Sequence, residues 1–169
     1  IGVGVQAASS IAEDAGLDCS NGILVDENCL TNDKNIYAAG DCVNYYFSRY
    51  RTRRRLESVQ NAIGQAATVS SSIVGEPIAY NSTPWFWSDQ YDLKLKIAGL
   101  SQESDLIVIR GKTEELKFSA CHFKENKLIA VECVNDQKTF MLGKKLIETE
   151  SSITPEAMEN TLTNLKDWR

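Results

Sequence analysis

A glycine followed by an aspartate, Gly40 and Asp41, is the part of this sequence whose residue types best suit the binding of a polar ligand. The pair follows a short apolar run at residues 36–39, which predicts a buried strand, and Gly40 then lets the backbone turn. We therefore expect Asp41 at the carboxyl end of that strand, the edge where open α/β sheets bind ligands. A carboxylate there accepts hydrogen bonds from sugar or polyol hydroxyl groups. The alternative is a plain turn that ends a strand.

A second stretch with chemical potential is a run of arginines interleaved with aromatic residues. The run contains Arg49, Arg51, Arg53, Arg54 and Arg55, with Tyr45, Tyr46, Phe47 and Tyr50 between or beside them. Three interpretations fit it: a solvated loop, a surface that attracts an acidic partner, or a site for single-stranded nucleic acid. The net charge of −5 for the whole chain disfavours nucleic acid.

Three consecutive aromatic residues, Trp85, Phe86 and Trp87, open the second half of the chain. Side chains alternate along a strand, so we expect Trp85 and Trp87 on one face and Phe86 on the other. Packing in a core or an interface explains such residues as readily as contact with a ligand does. The residues alone leave both interpretations open.

The elements that position these residues follow an α/β pattern in the first half of the chain. We predict a strand end at residues 1–5, a helix at 6–15 and strands at 22–25 and 36–39. A long helix is predicted at residues 54–74, because apolar residues recur there at helical spacing and predict a buried face. These are Leu56, Val59, Ile63, Ala66, Val69 and Ile73.

The second half changes to the period-two pattern of an antiparallel sheet. The predicted strands are residues 93–97, 106–109, 116–123 and 128–134, with Glu125 and Asn126 as a hairpin turn between the last two. We therefore expect an α/β part at residues 1–80 and a separate α+β domain at residues 81–169.

Two helices are predicted to complete that second domain. Asn135 or Asp136 is expected to cap a helix that runs to about residue 147. Thr154 and Pro155 favour the start of another helix. Its apolar residues Met158, Leu162 and Leu165 are expected to share one face.

Composition narrows the class of protein. With 43% hydrophobic and 24% charged residues, the chain has the balance of a soluble globular protein. No apolar run is long enough to span a membrane, no signal peptide is visible, and the first residue, Ile, indicates a piece of a longer protein. The five cysteines lack metal-like spacing and His122 is the single histidine, so we predict free thiols and no metal site. Free thiols favour a cytoplasmic location.

Three segments together resemble the C-terminal half of FAD-dependent NAD(P)H:ferredoxin reductases, the putidaredoxin reductase-like branch of the pyridine nucleotide-disulfide oxidoreductases. They are GILVDENCLTNDKNIYAAGDC, RLESVQNAIGQAA and PWFWSDQYDLKLKIAGL. The resemblance implies that residues 1–80 are the C-terminal part of an FAD-binding domain, with the last strand end of the NAD domain at 1–5. It implies that residues 81–169 are the reductase C-terminal domain. This sequence contains no G-x-G-x-x-G loop to hold the FAD phosphates.

The resemblance also implies which residues bind the cofactor. Gly40 and Asp41 would hold a ribityl hydroxyl of FAD, and the backbone at Val59 and Gln60 would face the pyrimidine carbonyl of the flavin. A helix start carries unpaired N–H donors and a partial positive charge, which favours the electron-rich reduced flavin. Trp87 would lie beside the isoalloxazine ring. No catalytic residue is implied, because electron transfer to a metal cluster needs no general base at that face.

The activity implied is electron transfer from NAD(P)H through FAD to a ferredoxin-like iron–sulfur protein. Arg51, Arg53 and Arg54 are the predicted docking residues for this partner, while contacts to FAD phosphates or to acidic groups of the domain itself remain an alternative for the run. The isolated chain is expected to be inactive and to purify without stoichiometric FAD.

A non-catalytic module for docking or homodimerisation is the alternative function. The parent protein would then resemble monodehydroascorbate reductases or apoptosis-inducing-factor-like proteins. Disulfide reductases of the superfamily use a His-Pro motif as acid and base, and this sequence lacks it.

Overall fold

The computed structural model describes residues 2–167 and divides into two units, residues 1–82 and 83–169. The first unit has a small α/β architecture. The second is an antiparallel sheet with helices near its C-terminus. This is the fold class that the sequence predicts, and each unit is described by itself below.

Unit 1 is built on a three-stranded sheet in the order β1-β2-β3. Its elements are α1 (Ser10–Asp14), β1 (Ile23–Val25), β2 (Val43–Phe47), β3 (Thr52–Arg55) and α2 (Val59–Ile73), with a short 3-10 turn at Ser48–Tyr50. Strand β1 is parallel to β2, and β2 is antiparallel to β3. Val43, Tyr45 and Phe47 alternate into a core that also contains Val25, Cys29 and Tyr80. The order places β1 and β3 at the two edges of the sheet.

The strand predicted at residues 36–39 is wrong, and β2 begins only at Val43. Side-chain hydrogen bonds fold the preceding chain into turns: the Thr31 hydroxyl donates to the Ile36 carbonyl at 2.9 Å. The Ala38 N–H then donates to the Cys29 carbonyl at 3.0 Å, and Tyr37 forms only an isolated bridge with Leu30. The apolar run is thus tied back on itself instead of entering the sheet.

The first residues of unit 1 also differ from the prediction. Residues 2–9 have no regular secondary structure, so a strand end is absent from residues 2–5, and Ile1 lies outside the described residues. Helix α1 is shorter than predicted and is followed by Gly16 with a φ of +77°. That left-handed conformation is one that glycine adopts without a steric cost.

Helix α2 starts five residues later than predicted, because Arg54 and Arg55 belong to β3. The N-cap is Ser58, whose hydroxyl accepts a hydrogen bond from the Asn61 N–H at 3.4 Å. Gly75 follows the helix with a φ of +85° and ends it as predicted.

The buried face of α2 differs from the prediction. Its buried residues are Asn61, Gln65 and Thr68, which we call the polar face of α2. Of the apolar residues expected to face the core, Val59, Ile63 and Ile73 are between 59% and 68% exposed, whereas Leu56 and Val69 are partly buried against the core of unit 1. Periodicity identifies the two sides of a helix but does not say which side is covered.

Unit 2 contains a five-stranded, wholly antiparallel sheet in the order β4-β5-β8-β7-β6. The strands are β4 (Trp85–Gln90), β5 (Leu93–Gly99), β6 (Leu106–Lys112), β7 (Lys117–Lys124) and β8 (Lys127–Val134). Glu125 and Asn126 form the predicted two-residue hairpin, with φ values of +50° and +62°. Positive φ at both positions matches the twist of the two strands that they join.

Two helices cover one face of that sheet. Helix α3 (Gln137–Glu148) is capped by Asp136, whose carboxylate accepts from the Thr139 N–H at 3.1 Å, as predicted. Helix α4 (Pro155–Glu159) starts at the predicted Thr154 cap but lasts only five residues. The prediction that Leu162 shares its buried face is wrong, because that side chain is 91% exposed.

The core of unit 2 is apolar. Phe123, Val131, Ile147 and Met158 are among its fully buried members, together with the thiols of two cysteines. Side chains from the sheet and from both helices contribute to this single cluster. Unit 2 therefore buries its apolar residues by the ordinary pattern of a packed α+β domain.

A buried arginine fastens the C-terminal segment to the edge strand β6. The Arg110 guanidinium donates to the carbonyl oxygens of Met158, Asn160, Thr161 and Thr163, at 2.6 to 3.2 Å. Only 7% of Arg110 is exposed, so its charge is compensated by backbone acceptors rather than by water. We call this arrangement the Arg110 clamp.

Candidate functional site

The Gly40 turn (residues 40–43) leads directly into β2. Gly40 has a φ of +88°, and its carbonyl accepts a hydrogen bond from the Val43 N–H at 3.1 Å. Asp41 therefore precedes the amino end of β2 and does not follow a strand. The prediction that it sits at a strand's carboxyl end is wrong, for the reason given above for residues 36–39.

Two side chains hold the Gly40 turn from different elements. The Gly40 N–H donates to Gln65 Oε1 on α2 at 2.8 Å. Arg55 on β3 donates from Nη1 to the Asp41 carbonyl at 3.3 Å, and it also pairs with Glu57. A Cβ added to Gly40 would lie 3.6 Å from Ala62 Cβ, so the turn packs against the first turns of α2.

The Asp41 carboxylate is the free group that this turn presents. The residue is exposed, and its side chain has no hydrogen-bond or ion-pair partner anywhere in residues 2–167. The backbone of Asp41 is fixed while its side chain remains available. A carboxylate with these properties can accept hydrogen bonds from ligand hydroxyl groups.

The start of α2 lies next to this turn and carries the opposite polarity. Its first backbone N–H groups lack helical partners, and no acidic residue occupies the first turn. Val59 is exposed, and Gln60 is half-buried with an Oε1 that has no partner among the described residues. The structure thus brings the predicted residues Gly40, Asp41, Val59 and Gln60 into one region of unit 1.

Trp87 belongs to unit 2, on the edge strand β4. It is 41% exposed, and its ring centroid lies 5.8 Å from that of Trp85. Trp85 packs in turn against Phe140 of α3, with a centroid distance of 5.9 Å. The two tryptophans share a face as predicted, so Trp85 supports Trp87 from the core side while leaving part of the Trp87 indole uncovered.

The three predicted docking arginines lie on β3 and the turn before it. Arg51 has a φ of +50° in that turn and is exposed, as are Arg53 and Arg54. Arg53 is also a structural anchor: its Nη1 donates to the Val25 and Asn44 carbonyls at 3.1 and 3.0 Å. Alternation places Arg53 and Arg54 on opposite faces of β3, so the three charges surround a sheet edge and do not form one flat patch.

Gln65 and Arg55 are the residues around the turn that the sequence interpretation missed as contacts. Their partners lie 25 and 14 positions away, so no local pattern reveals the pairing. One signal was available: Asn61, Gln65 and Thr68 are polar residues at helical spacing. That spacing marks a polar stripe, although it does not show that the stripe is buried.

The remaining titratable groups do not assemble into a reactive centre. His122 is buried, with Nδ1 3.3 Å from the Ser104 hydroxyl and Nε2 3.5 Å from Glu132 Oε1. All five cysteines are free thiols and each is buried or half-buried, as predicted. Residues 2–167 contain no group of three or more His, Cys, Asp or Glu side chains arranged for a metal ion.

None of the helices described has the length and apolar character needed to cross a membrane.

Comparison with known proteins matches each half of the chain to a family of reductases or oxidoreductases. Residues 85–169 match the family described as Reductase C-terminal, and residues 1–66 match Pyridine nucleotide-disulphide oxidoreductase. The chain belongs to the Reductase C-terminal family, and the similar proteins are ferredoxin reductases of the putidaredoxin reductase-like group.

Individual relatives agree with this family. Rhodocoxin reductase from Rhodococcus erythropolis is 41% identical over 166 residues, which cover 98% of this chain and 39% of the relative. The ferredoxin reductase for the CYP199A2 system from Rhodopseudomonas palustris superposes with a TM-score of 0.94 at 43% identity, over 98% of this chain and 41% of that one.

A covalent putidaredoxin reductase–putidaredoxin complex is also similar. Its matching chain has a TM-score of 0.93 and 34% identity, over 97% of this chain and 39% of its own length. The chain therefore spans about two fifths of the length of the relatives it matches.

Proposed function

We propose that this chain is the C-terminal part of a flavoprotein reductase that passes electrons from NAD(P)H through FAD to a ferredoxin-like iron–sulfur protein. The Gly40 turn against the start of α2 is the observation that carries the proposal. It combines a fixed backbone, a free carboxylate and unpaired N–H donors within one region. Family membership supports the same conclusion.

The described residues fit FAD in chemical character. The unpartnered Asp41 carboxylate accepts hydrogen bonds, which suits a ribityl hydroxyl. The N–H groups at Val59 and Gln60 donate hydrogen bonds, which suits a flavin carbonyl, and the buried, unpartnered Gln60 Oε1 offers one further acceptor. Trp87 is assigned by the resemblance as the aromatic side chain that shields the flavin, and its exposed indole is available for this.

FAD, when bound, supplies the redox chemistry that no side chain of this sequence provides, accepting a hydride and releasing electrons singly. The chain's own residues bind and orient it. The positive end of the α2 dipole favours added negative charge near Val59, and Asp41 fixes the polyol without taking a proton. No residue is assigned as a general acid or base.

We assign Arg51, Arg53 and Arg54 to the attraction of an acidic iron–sulfur partner. The arginines stand out from a chain of net charge −5, and they lie at an exposed sheet edge. Exposed charges act on such a partner mainly through long-range steering. Because the Arg53 guanidinium also ties β1 to β2, Arg51 and Arg54 are the cleaner positions for a test.

Replacing Asp41 by Ala in the full-length reductase tests cofactor binding. Loss of a hydrogen bond to a charged acceptor, worth on the order of 1.5 to 3 kcal/mol, should weaken FAD binding roughly ten- to a hundredfold. Titration of the apoprotein with FAD, followed by flavin fluorescence, measures this. Asp14→Ala, which removes an exposed carboxylate from α1, is the matched control and should leave the affinity unchanged. Unchanged affinity in Asp41→Ala would make the motif a simple turn and refute the proposed site.

Replacing Arg51 and Arg54 together by Gln tests docking. Ferredoxin reduction should be slower in the variant than in the parent at low salt. The difference should shrink as the Debye length shortens from about 10 Å at 0.1 M to about 3 Å at 1 M, because salt removes the steering from the parent. NAD(P)H-driven ferricyanide reduction should not change, because it does not need the docked partner. Lys34→Gln, at another exposed cation of unit 1, is the control. Stopped-flow rates with both acceptors decide: equal loss with both would move the arginines to the flavin, and loss with neither would exclude docking there.

A further inference from the structure

The inference concerns the buried amide of Gln65, on the second turn of α2. Only 1% of this residue is exposed, yet half of its hydrogen-bonding capacity is unused in the described residues. Oε1 accepts from the Gly40 N–H at 2.8 Å, whereas Nε2 is buried and has no partner. Burying an amide is costly unless it is hydrogen-bonded, so a glutamine here needs a reason beyond filling space.

The single bond that Gln65 makes has a specific target. Gly40 is itself buried and held at a φ of +88°, immediately before the exposed Asp41 carboxylate. The Gly40 N–H cannot turn to another acceptor without changing the turn, because the Gly40 carbonyl is already bonded to the Val43 N–H. The orientation of the Gln65 amide follows from this donor, which requires Oε1 on the Gly40 side.

Gln65 also connects the two parts of the candidate site. The Gly40 turn carries Asp41, and α2 carries Val59 and Gln60 at its start, one to two helical turns before Gln65. A change in the Gly40–Gln65 bond therefore changes the position of the carboxylate relative to the helix start. Arg55 holds the same turn from β3 through the Asp41 carbonyl, but at the longer distance of 3.3 Å.

We propose that Gln65 is a positioning residue, which fixes the Gly40 turn against α2 so that the Asp41 carboxylate is presented to FAD in one place. This inference rests on the proposed function. Gln65 acts through Asp41, so its effect on FAD affinity requires that carboxylate.

A double-mutant cycle in the full-length reductase tests the proposal. Gln65→Met keeps the side-chain length but removes the acceptor, and it should weaken FAD binding about tenfold, the size of one hydrogen bond. In an Asp41→Ala background the same substitution should have no further effect, because the carboxylate it positions is gone. Flavin fluorescence titration of the four apoproteins gives the affinities, and circular dichroism shows that each is folded.

Two further variants separate positioning from general support of the fold. Gln65→Asn keeps the amide but shortens the side chain by one methylene, so it should lose the bond to the Gly40 N–H and weaken FAD binding about tenfold, as Gln65→Met does. Thr68→Val changes the next residue of the polar face of α2 with almost no change in shape, and its affinity should not change. If Gln65→Met does not fold, Gln65→Asn carries the test, and an FAD affinity equal to that of the parent would overturn the proposal.

The possible failures are distinguishable. If Asp41→Ala binds FAD as tightly as the parent, the proposed function fails. If Asp41→Ala weakens binding but the loss from Gln65→Met adds fully to it, Gln65 contributes to stability or binds independently, and only the positioning role is refuted. Equal losses in Thr68→Val and Gln65→Met would likewise refute it.

Discussion

The two long helices of the chain bury different kinds of side chain, although both have clear helical periodicity. Helix α3 in unit 2 buries Phe140, Leu146 and Ile147. Helix α2 in unit 1 buries Asn61 and Gln65 and leaves Val59, Ile63 and Ile73 exposed. Unit 2 completes a core with its own residues, whereas α2 serves a turn that presents a carboxylate. The contrast separates a helix whose buried face is apolar from one whose buried face is polar.

The same substitution in the two helices gives the largest expected difference in unfolding free energy. Ile147→Ala removes a side chain that is 2% exposed from the apolar core of unit 2 and should cost about 2 to 5 kcal/mol. Ile63→Ala, at a position 64% exposed, should change it by less than about 0.5 kcal/mol. Urea unfolding of the 169-residue chain followed by circular dichroism measures both. Comparable losses would show that the outer side of α2 is covered in solution.

The Arg110 clamp offers a second contrast, because it is a buried polar group whose donors are satisfied, unlike the Gln65 amide. Arg110→Met leaves four carbonyls without their donor and should cost about 2 to 4 kcal/mol. Lys112→Met removes an exposed cation from the same strand and should leave stability unchanged within error. Urea midpoints of the two variants decide, and an equal effect would mean that the clamp adds no more than a surface charge.

The buried thiols of unit 2 lead us to expect a smaller, pH-dependent effect on the unfolding free energy. Burial raises the pKa of the Cys121 and Cys133 thiols to about 12 from the ordinary value of 9.0. Unfolded thiols lose their protons first, so this contribution is intact below pH 9 and is lost as the pH rises towards 12. Between pH 8 and 10 each thiol should lower the unfolding free energy by about 1 kcal/mol.

Cys133→Ala provides the matched comparison for that effect. The loss of packing in this variant costs the same at both pH values. From pH 8 to pH 10 its unfolding free energy should therefore fall by about 1 kcal/mol less than that of the parent, because one buried thiol is missing. If the unfolding free energy fell equally in parent and variant, the Cys133 thiol would be accessible to water in the folded protein.

Local signals in the sequence located most elements of unit 2, although Leu162 is exposed and not buried as predicted. The Glu125 and Asn126 turn and the Asp136 cap depend on residues within a few positions of each other, and both were predicted correctly. Unit 1 was harder, because side-chain bonds from Thr31 divert an apolar run from the sheet. The bond between Gln65 and Gly40 spans 25 residues and leaves no periodic trace. Periodicity located α2, but it does not indicate which side of the helix is buried.

The Arg110 clamp has a consequence for the kinetics of folding. Its four acceptors lie 48 to 53 residues beyond Arg110 in the chain, so the clamp closes only after a long loop has been drawn together. We expect contacts of such sequence separation to form later than the local hairpin of β7 and β8. Their free energy therefore appears chiefly as slow unfolding, and the C-terminal segment resists detachment through the height of a barrier rather than through the speed of its assembly.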